Sequence, residues 1–293
     1  MRQEGLRGLP RRLGLAPVVR GGGNRDSPKR LRGALTRSAS FLVRECPSAG
    51  ELRRTASVHR GHSDSQRGLV GKGAFSPSEV DFFAGRFGMS IDEVLKELVR
   101  AGLDSIPGGG GEILVQEVRD RVAKKKAGAD RWLEVMEVAH RQGLKTSVTM
   151  MYGLGETDAD RIEHLFRVRE VQGRTGGFTA FICWPLQPEH TELEYLGKTD
   201  AVTYLRTQAI ARIVLGNLPN IQASWVTMGP KIGQVALRFG ANDFGSLMME
   251  ENVVSAAGTT WRMTLPEMQR IIADAGYTPR KRKQDYTLLS EAA

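Results

Sequence analysis

Cysteine is scarce in this sequence, and Cys46 and Cys183 are the only two among its 293 residues. Two cysteines so far apart predict neither a disulfide framework nor a metal site built from several thiolates. Cys183 ends an apolar run that includes Phe181 and Ile182. Because free cysteine is among the most frequently buried residues, this run predicts a buried, unreactive thiol in a strand.

Long apolar segments are also missing. No stretch reaches the roughly 18 uninterrupted apolar residues of a membrane helix, and the N-terminus lacks the apolar centre of a secretory signal. We therefore predict a cytoplasmic protein with no membrane partner. Apolar residues still make up 40% of the chain, which is enough to build a core.

Acidic residues are few near the N-terminus. Residues 1–73 contain 16 Lys and Arg but only 5 Asp and Glu. The rest of the chain contains 26 Lys and Arg and 28 Asp and Glu. The net charge of +9 therefore comes from the first 73 residues. The remainder is slightly acidic and lacks a general phosphate-binding character, so we predict no nucleic-acid partner.

Residues 1–73 show no sustained hydrophobic period and are rich in Arg, Gly and Ser, which predicts a disordered basic segment. Three explanations compete: a basic binding arm, an organelle transit peptide, and an artefactual segment translated from the wrong frame or start. We favour the artefact, because out-of-frame translation of GC-rich DNA tends to yield this composition. The predicted organisation is thus a basic, disordered or artefactual segment at 1–73 and a folded segment at 74–293.

From Ser76 onwards, helix and strand signals alternate. A Ser-x-x-Glu capping box at Ser90 and a Thr-x-x-Glu capping box at Thr264 each predict the start of a helix. Asp130 is a third candidate N-cap. Further helices are predicted at 158–172, 201–216 and 229–239. Strands are predicted at 103–106, 146–151, 178–183, 221–225 and 244–248.

Repeated strand–helix units predict parallel strands joined by right-handed crossovers, in an α/β barrel or a doubly wound sheet. Five or six strands fit in 74–293, fewer than the eight of a closed barrel. An exposed sheet edge is then expected, and such edges promote aggregation. Polar residues and glycines cluster just after the strands, where barrel enzymes place their active sites.

The first such cluster is the glycine run 108–111, which is followed by Glu112. Consecutive glycines let backbone amides approach a ligand, and a carboxylate beyond them can accept hydrogen bonds from a ribose or an ammonium group. A tight structural loop is an equal alternative. The spacing does not match the dinucleotide-binding fingerprint G-x-G-x-x-G.

Other strand ends carry further candidates. Gln187, Glu189 and His190 follow the strand at 178–183, and Asp243 lies in a loop beside the last strand, where proton transfer or hydroxyl recognition is plausible. In the strand at 221–225, alternation puts Gln222 and Ser224 on one face and Ala223 and Trp225 on the other. His140 and His164 fall at helical positions and are predicted to be packing or surface residues.

Several long segments together resemble a known enzyme family. Residues 79–107, 108–114, 150–153, 178–189, 221–227 and 240–245 are similar, in this order, to cyclic dehypoxanthinyl futalosine synthases, radical S-adenosylmethionine enzymes of menaquinone biosynthesis. The aminofutalosine synthases and the FO synthase subunit have similar loops. The run from Asp104 to Pro107 and the pair Trp184 and Pro185 are more similar to the futalosine cyclase.

The resemblance implies the back part of a TIM-type (β/α) barrel of the radical SAM kind, lacking its N-terminal strands. It also implies a 4Fe-4S cluster that reduces S-adenosylmethionine to a 5'-deoxyadenosyl radical, an external electron donor, and cyclisation of dehypoxanthinyl futalosine. By position, Glu112 resembles the carboxylate that binds S-adenosylmethionine, and Ser76 resembles a substrate-facing residue. Gln187 and Gln222 are weaker candidates for substrate contact, and Asp243 is a weak candidate for the catalytic base.

The sequence departs from the family at the cluster. The family carries Cys-x-x-x-Cys-x-x-Cys, because three thiolates hold three of the four irons, and Cys46 has no partner at either spacing. No metal ligands can therefore be named. We expect a truncated or frame-disrupted cyclase that is inactive as written, with two alternatives: a non-catalytic barrel acting as a binding or regulatory subunit, and one half of a split enzyme.

Overall fold

The computed structural model describes residues 75–247 and 261–289, all of which fall within one compact unit. The α-helices in these ranges are α1 (Pro77–Phe87), α2 (Ile91–Arg100), α3 (Gln116–Val122), α4 (Ala129–Arg141), α5 (Asp158–Thr175), α6 (Ala201–Val214), α7 (Trp225–Ala236) and α8 (Leu265–Asp274). The strands are β1 (Ser105–Ile106), β2 (Lys145–Tyr152), β3 (Phe178–Pro185) and β4 (Asn220–Gln222). The segment 1–73, predicted to be disordered, and Met248 lie outside these ranges.

The strands form one parallel sheet in the order β1-β2-β3-β4. Each pair of neighbours is connected through at least one helix, as parallel pairing requires. The prediction of an α/β fold with a partial barrel sheet is confirmed. In the described ranges the sheet has four strands, fewer than the five or six that were predicted.

The two faces of the sheet differ in character. On β2, Val148, Met150 and Tyr152 are fully buried among the helices, as expected for alternate residues on one face of a strand. Ser147 and Thr149 alternate with them on the opposite face, which we call the inner face. A hydrophobic core therefore lies between the sheet and the helices, and the inner face is more polar.

Local chemistry explains most of the helix starts. The Ser90 hydroxyl accepts a 3.2 Å bond from the Glu93 amide while the Glu93 carboxylate accepts one of 2.8 Å from the Ser90 amide. Thr264 and Glu267 form the same reciprocal pair at α8. Both predicted capping boxes are confirmed. The Asp130 cap is wrong, because α4 begins at Ala129 after Gly128, and Asp130 pairs with Arg167 instead.

Two other predicted boundaries are wrong. The strand predicted at 221–225 stops at Gln222, and Trp225 begins α7. Ser224 therefore immediately precedes a helix, with its hydroxyl 2.7 Å from the Thr227 hydroxyl, instead of sharing a strand face with Gln222. The helix predicted from Gly229 matches the second of two helical segments that make up α7, because the backbone at Gly229 is not helical and has φ of +81°. The strand predicted at 244–248 is wrong for its described part, since residues 244–247 form no strand, and an isolated parallel bridge between Gln222 and Asp243 precedes them.

Candidate functional site

The glycine run lies against the inner face of β2. The Gly108 amide donates a 3.0 Å bond to the Ser147 hydroxyl, and the Thr149 hydroxyl donates one of 2.5 Å to the Gly108 carbonyl. A Cβ atom at Gly108 would lie 2.7 Å from the Val148 Cα, and one at Gly111 would lie 2.9 Å from the Thr149 carbonyl oxygen. These glycines are needed because backbone packs directly on backbone.

Glu112 follows the glycine run with φ of +34° and is 8% exposed. One carboxylate oxygen, Oε1, accepts a hydrogen bond from the Lys126 ammonium group. The other, Oε2, is buried without a hydrogen-bond partner among the described residues and lies 3.9 Å from an Arg119 nitrogen. A buried carboxylate oxygen without a donor is costly, so Oε2 is suited to receive a donor from a ligand.

The Arg119 guanidinium holds the glycine run in place through hydrogen bonds to backbone carbonyls. It donates to the carbonyls of Gly111 at 2.6 Å, Gly110 at 3.0 Å and Ala127 at 3.0 Å. Burial lowers the Arg119 pKa, and the nearby Glu112 charge offsets part of that effect. Because the bonded carbonyls lie on both sides of the site, Arg119 joins the glycine run to the turn that carries Lys126.

His164 fixes the chain just beyond Glu112. Its Nδ1 accepts a 3.0 Å bond from the Leu114 amide, so the neutral ring carries its proton on Nε2, which has no hydrogen-bond partner in the described part. Burial, followed by the charges of Arg119 and Arg167, lowers the His164 pKa to about 3. The prediction that His164 is a packing residue is confirmed by its complete burial.

Ser76 and Gln187 engage in local contacts. Ser76 precedes α1, and its hydroxyl donates a 2.8 Å bond to the Glu79 carboxylate. Its Cβ lies 3.8 Å from where a Cβ at Gly109 would be, which places it beside the glycine run. The Gln187 amide donates to the carbonyls of Pro185 at 3.2 Å and Leu186 at 3.3 Å. Their predicted roles in substrate contact stay predictions.

The loop after Gln187 is mostly at the surface. Glu189 forms a 2.7 Å ion pair with Lys198. His190 is exposed and has a φ of +60°. Neither residue is brought near Glu112 by a contact within the described ranges.

Asp243 lies next to Gln222 at the far side of the sheet from β1. Its Oδ1 accepts bonds from the Gly245 amide at 3.0 Å and from Arg282 Nε at 3.1 Å. Its Oδ2 accepts bonds of 2.6 Å from both Arg282 Nη2 and the Tyr286 hydroxyl. Both carboxylate oxygens are therefore occupied, which leaves the predicted base no free lone pair in this arrangement.

The charge of Asp243 also alters its two partners. Burial lowers the pKa of Arg282, but the hydrogen bond and charge of Asp243 outweigh it and give a net rise. Burial and the same negative charge raise the pKa of the Tyr286 hydroxyl. The arginine is thus held charged and the phenol is held protonated as a donor.

A cavity of about 730 Å³ lies over the inner face of the sheet. Ser105, Ser147, Ile182 and Gln222 line it from the sheet, and Arg282 and Tyr286 are among the residues that line it from the C-terminal segment. Hydroxyl, amide and charged side chains line it together with apolar ones such as Ile106 and Ile182. We call it the inner cavity.

Cys183 does not belong to a metal site. Its thiol is fully buried, donates a 2.9 Å bond to the Gln208 side chain, and has a pKa raised by burial to about 12. Within 75–247 and 261–289, no three residues of the types His, Cys, Asp and Glu are grouped in a way that could hold a metal ion. The prediction of a buried thiol in a strand is confirmed, and its low reactivity stays a prediction.

Sequence reasoning missed four residues that shape these sites: Arg119, Lys126, Arg282 and Tyr286. A fully buried arginine in the seven-residue helix α3 gives no pattern that separates it from its solvated neighbours. Arg282 and Tyr286 lie in a polar segment without hydrophobic periodicity. Only their placement in the fold reveals their partners.

The parallel sheet with helical crossovers and a glycine loop beyond a strand defines an α/β protein with part of a barrel sheet, and the family comparisons identify it as the radical SAM type. Residues 75–168 match the radical SAM superfamily, and residues 175–292 match the CofH/MqnC C-terminal region. The structure of HydG, a maturase of the FeFe-hydrogenase, shares the fold with a TM-score of 0.50 and 16% identity, over 64% of this chain and 43% of HydG.

Two relatives are more similar in sequence. The cyclic dehypoxanthine futalosine synthase of Halalkalibacterium halodurans is 46% identical over 74% of this chain and 58% of its own length. The enzyme of the same name from Streptomyces coelicolor is 39% identical over 89% of this chain and 69% of its own length. The chain belongs to the radical SAM family of the cyclic dehypoxanthine futalosine synthases.

The two alignments also show how much of each relative, and of this chain, is matched. The chain spans 58% of the first relative's length, little more than half. The second match covers more of this chain than residues 74–293 alone, so it extends into the basic N-terminal segment. In the described ranges, no helix has the length and apolar character needed to cross a bilayer.

Proposed function

We propose that this chain binds S-adenosylmethionine at Glu112 and serves the cyclisation of dehypoxanthinyl futalosine in the futalosine pathway of menaquinone biosynthesis. The observation that carries the proposal is the unpaired, buried Oε2 of Glu112 on a glycine loop beyond a parallel strand. The ammonium and ribose hydroxyl groups of S-adenosylmethionine are donors of the kind this oxygen lacks. The names of the two relatives support the substrate.

The inner cavity, whose lining reaches Pro107 just before the glycine run, supplies a place for the substrate. Its hydroxyl and amide groups suit a polyhydroxylated molecule, and Gln222 is among its lining residues. We assign Ser76, Gln187 and Gln222 to substrate contact and Asp243 to proton removal as parts of the same proposal. A cytoplasmic location and an external electron donor also belong to it.

The residues present do not fit the 4Fe-4S cluster of the family. Three thiolates are needed, and the whole chain has two cysteines, of which Cys183 is buried and bonded to Gln208. We therefore derive no radical step for this chain. Its own residues account for binding and positioning, and cyclisation requires cysteine ligands that this sequence does not contain.

Isothermal titration of the purified chain with S-adenosylmethionine tests the proposal. We expect measurable binding to the wild type and at least about tenfold weaker binding to Glu112→Gln, because a charge-assisted hydrogen bond is lost. Glu117→Gln, an exposed carboxylate in α3, is the matched control and should bind like the wild type. Equal binding by Glu112→Gln and the wild type would remove Glu112 from the site.

Anaerobic reconstitution with iron and sulfide tests whether this chain can hold the 4Fe-4S cluster. Because three thiolates cannot be supplied, we expect no stoichiometric cluster and no cyclised product from the chain alone. A stable cluster with four irons per chain would contradict this and would require ligands other than cysteine.

A further inference from the structure

Residues 281–289 form a short antiparallel hairpin, which we call the C-terminal hairpin. Arg282 pairs with Leu288, the Lys283 amide donates a 2.8 Å bond to the Thr287 carbonyl, and the Leu289 amide donates one of 2.9 Å to Lys281. Arg282, Gln284, Asp285 and Tyr286 of this hairpin line the inner cavity. The hairpin thus forms one wall of the cavity over the sheet.

The hairpin has no buried apolar anchor. Arg282 and Tyr286 are its only half-buried residues, and every other residue from 281 to 289 is exposed. Its leucines point outward, with Leu288 64% exposed. An isolated two-stranded hairpin is marginally stable in water. The contacts of its two half-buried side chains therefore contribute to keeping this hairpin folded and in place.

Both of those side chains contact the same carboxylate. Arg282 approaches Asp243 with two nitrogens, Tyr286 donates its hydroxyl to Oδ2, and the guanidinium lies 4.0 Å above the Tyr286 ring. Bidentate, charge-assisted bonds of this kind are the strongest hydrogen bonds that side chains make. Partial burial of the cluster limits screening by solvent.

The carboxylate itself is fixed to the sheet. Asp243 is 9% exposed, its carbonyl accepts a 2.8 Å bond from the Ala223 amide, and its Oδ1 accepts one from the Gly245 amide. The two half-buried side chains of the hairpin are therefore both bound to one charged group that is itself bonded to the sheet. This combination lets the hairpin leave while the sheet stays intact.

We propose that the C-terminal hairpin is a lid on the inner cavity and that the Asp243 carboxylate is the latch that holds it closed. When the lid opens, the cavity loses this wall, Oδ2 of Asp243 loses both of its donors, and Oδ1 keeps only the Gly245 amide. Proton removal by Asp243 and closure of the lid therefore exclude each other. The lid depends only on contacts within this chain and stands whether or not the proposed activity is correct.

Hydrogen–deuterium exchange of the full chain, read on the peptide that covers 281–289, tests the lid. In Asp243→Asn we expect exchange in this peptide to rise about 10- to 100-fold, because charge-assisted bonds become neutral ones. Peptides from β2 and β3 should exchange as in the wild type. Tryptic cleavage after Lys281 and Lys283 should accelerate in parallel.

Asp274→Asn is the matched control, because Asp274 is an exposed carboxylate at the end of α8. We expect it to leave exchange in 281–289 unchanged. If Asp243→Asn disturbs the whole fold, Arg282→Gln on the hairpin breaks the same bonds without altering the sheet, and it should give the same local rise. Wild-type exchange at 281–289 in a folded Asp243→Asn or Arg282→Gln chain would overturn the proposal.

Discussion

The Thr149 hydroxyl donates a 2.5 Å hydrogen bond to the Gly108 carbonyl, which fastens the glycine loop onto the inner face of β2. At this contact a Cβ on residue 108 would meet the Val148 Cα and the Thr149 amide nitrogen at 2.7 Å. Neither of these backbone atoms can rotate away. The loop can therefore keep its position only with glycine at 108.

Gly108→Ala should lower the free energy of unfolding by about 1–3 kcal/mol, as overpacking against a rigid element does. Gly109→Ala is the matched control, since its Cβ would meet only the Ser76 Cβ at 3.8 Å, an ordinary contact. Urea unfolding followed by circular dichroism measures both. Equal stabilities of the two variants would show that the loop can move away from β2.

Arg119→Gln should destabilise the chain by about 3 kcal/mol, because it leaves buried carbonyls without donors and removes one of the two cations beside Glu112. Arg121→Gln is the control on the same helix. Arg121 is exposed and donates a single 3.2 Å bond to the Gly155 carbonyl, so we expect a loss of about 1 kcal/mol or less. The same urea series compares them, and a cost of Arg119→Gln no larger than the control would contradict the assigned role.

Acid should destabilise the chain through His164. Its pKa is about 3 when folded and 6.5 when exposed, so below about pH 6.5 the unfolded chain binds a proton that the folded chain does not. The free energy of unfolding then falls as pH drops, by about 1.4 kcal/mol per pH unit. His164→Gln removes this titration and should reduce the slope by that amount.

Urea unfolding at several pH values between about 6 and 4 measures the difference in slope between the two chains. Burial, reinforced by Lys145, lowers the pKa of His140 to about 4, and His140 contributes equally to both chains, so it cancels in the comparison. Parallel pH profiles would mean that His164 is protonated inside the fold.

Cys183 should be almost inert towards thiol reagents in the folded chain. With a pKa of about 12, its thiolate fraction at pH 8 is about one in ten thousand, and its sulfur is buried as well. In a Cys46→Ser chain, labelling by a chromogenic disulfide should therefore wait for unfolding and become fast in denaturant. Rapid labelling of the folded variant would place the thiol at the surface.

The elements that sequence reasoning predicted well are those whose local chemistry is decisive. Ser90 and Thr264 each find a carboxylate three residues ahead, and this reciprocal capping does not depend on the rest of the fold. The strands at 146–151 and 178–183 combine β-branched or aromatic residues with flanking helix ends, and the structure extends each of them by one or two residues.

The predictions that failed concern segments whose local signals conflict. The apolar run ending at Trp225 suits a strand or a buried helix, and periodicity alone does not separate the two. Gly229 and Pro230 did predict the start of the second helical segment of α7, but the segment from Trp225 to Met228 that precedes it was not predicted to be helical. The packing of Trp225, Gly233 and Phe244 against one another belongs to tertiary structure.

For the candidate sites, sequence reasoning found the residues that follow strands and missed those that support them. Glu112 is visible because glycines precede it, and Asp243 because it lies in a loop beside a strand. The cations that contact these carboxylates come from a short helix, a turn and the C-terminal hairpin. Nothing local distinguishes Arg119 or Arg282 from an ordinary solvated arginine.

The strand register sets a minimum length for any molecule that reaches from the glycine loop to the Asp243 carboxylate. Thr149, Ile182, Gln222 and Asp243 lie side by side across the sheet, and Gly108 contacts the first of them. With neighbouring strands about 4.8 Å apart, the three steps from Thr149, which holds the glycine loop, to Asp243 span on the order of 14 Å across the sheet. A single sugar is too short to touch both ends, whereas an extended nucleoside-sized molecule, or two smaller molecules end to end, can reach from one to the other.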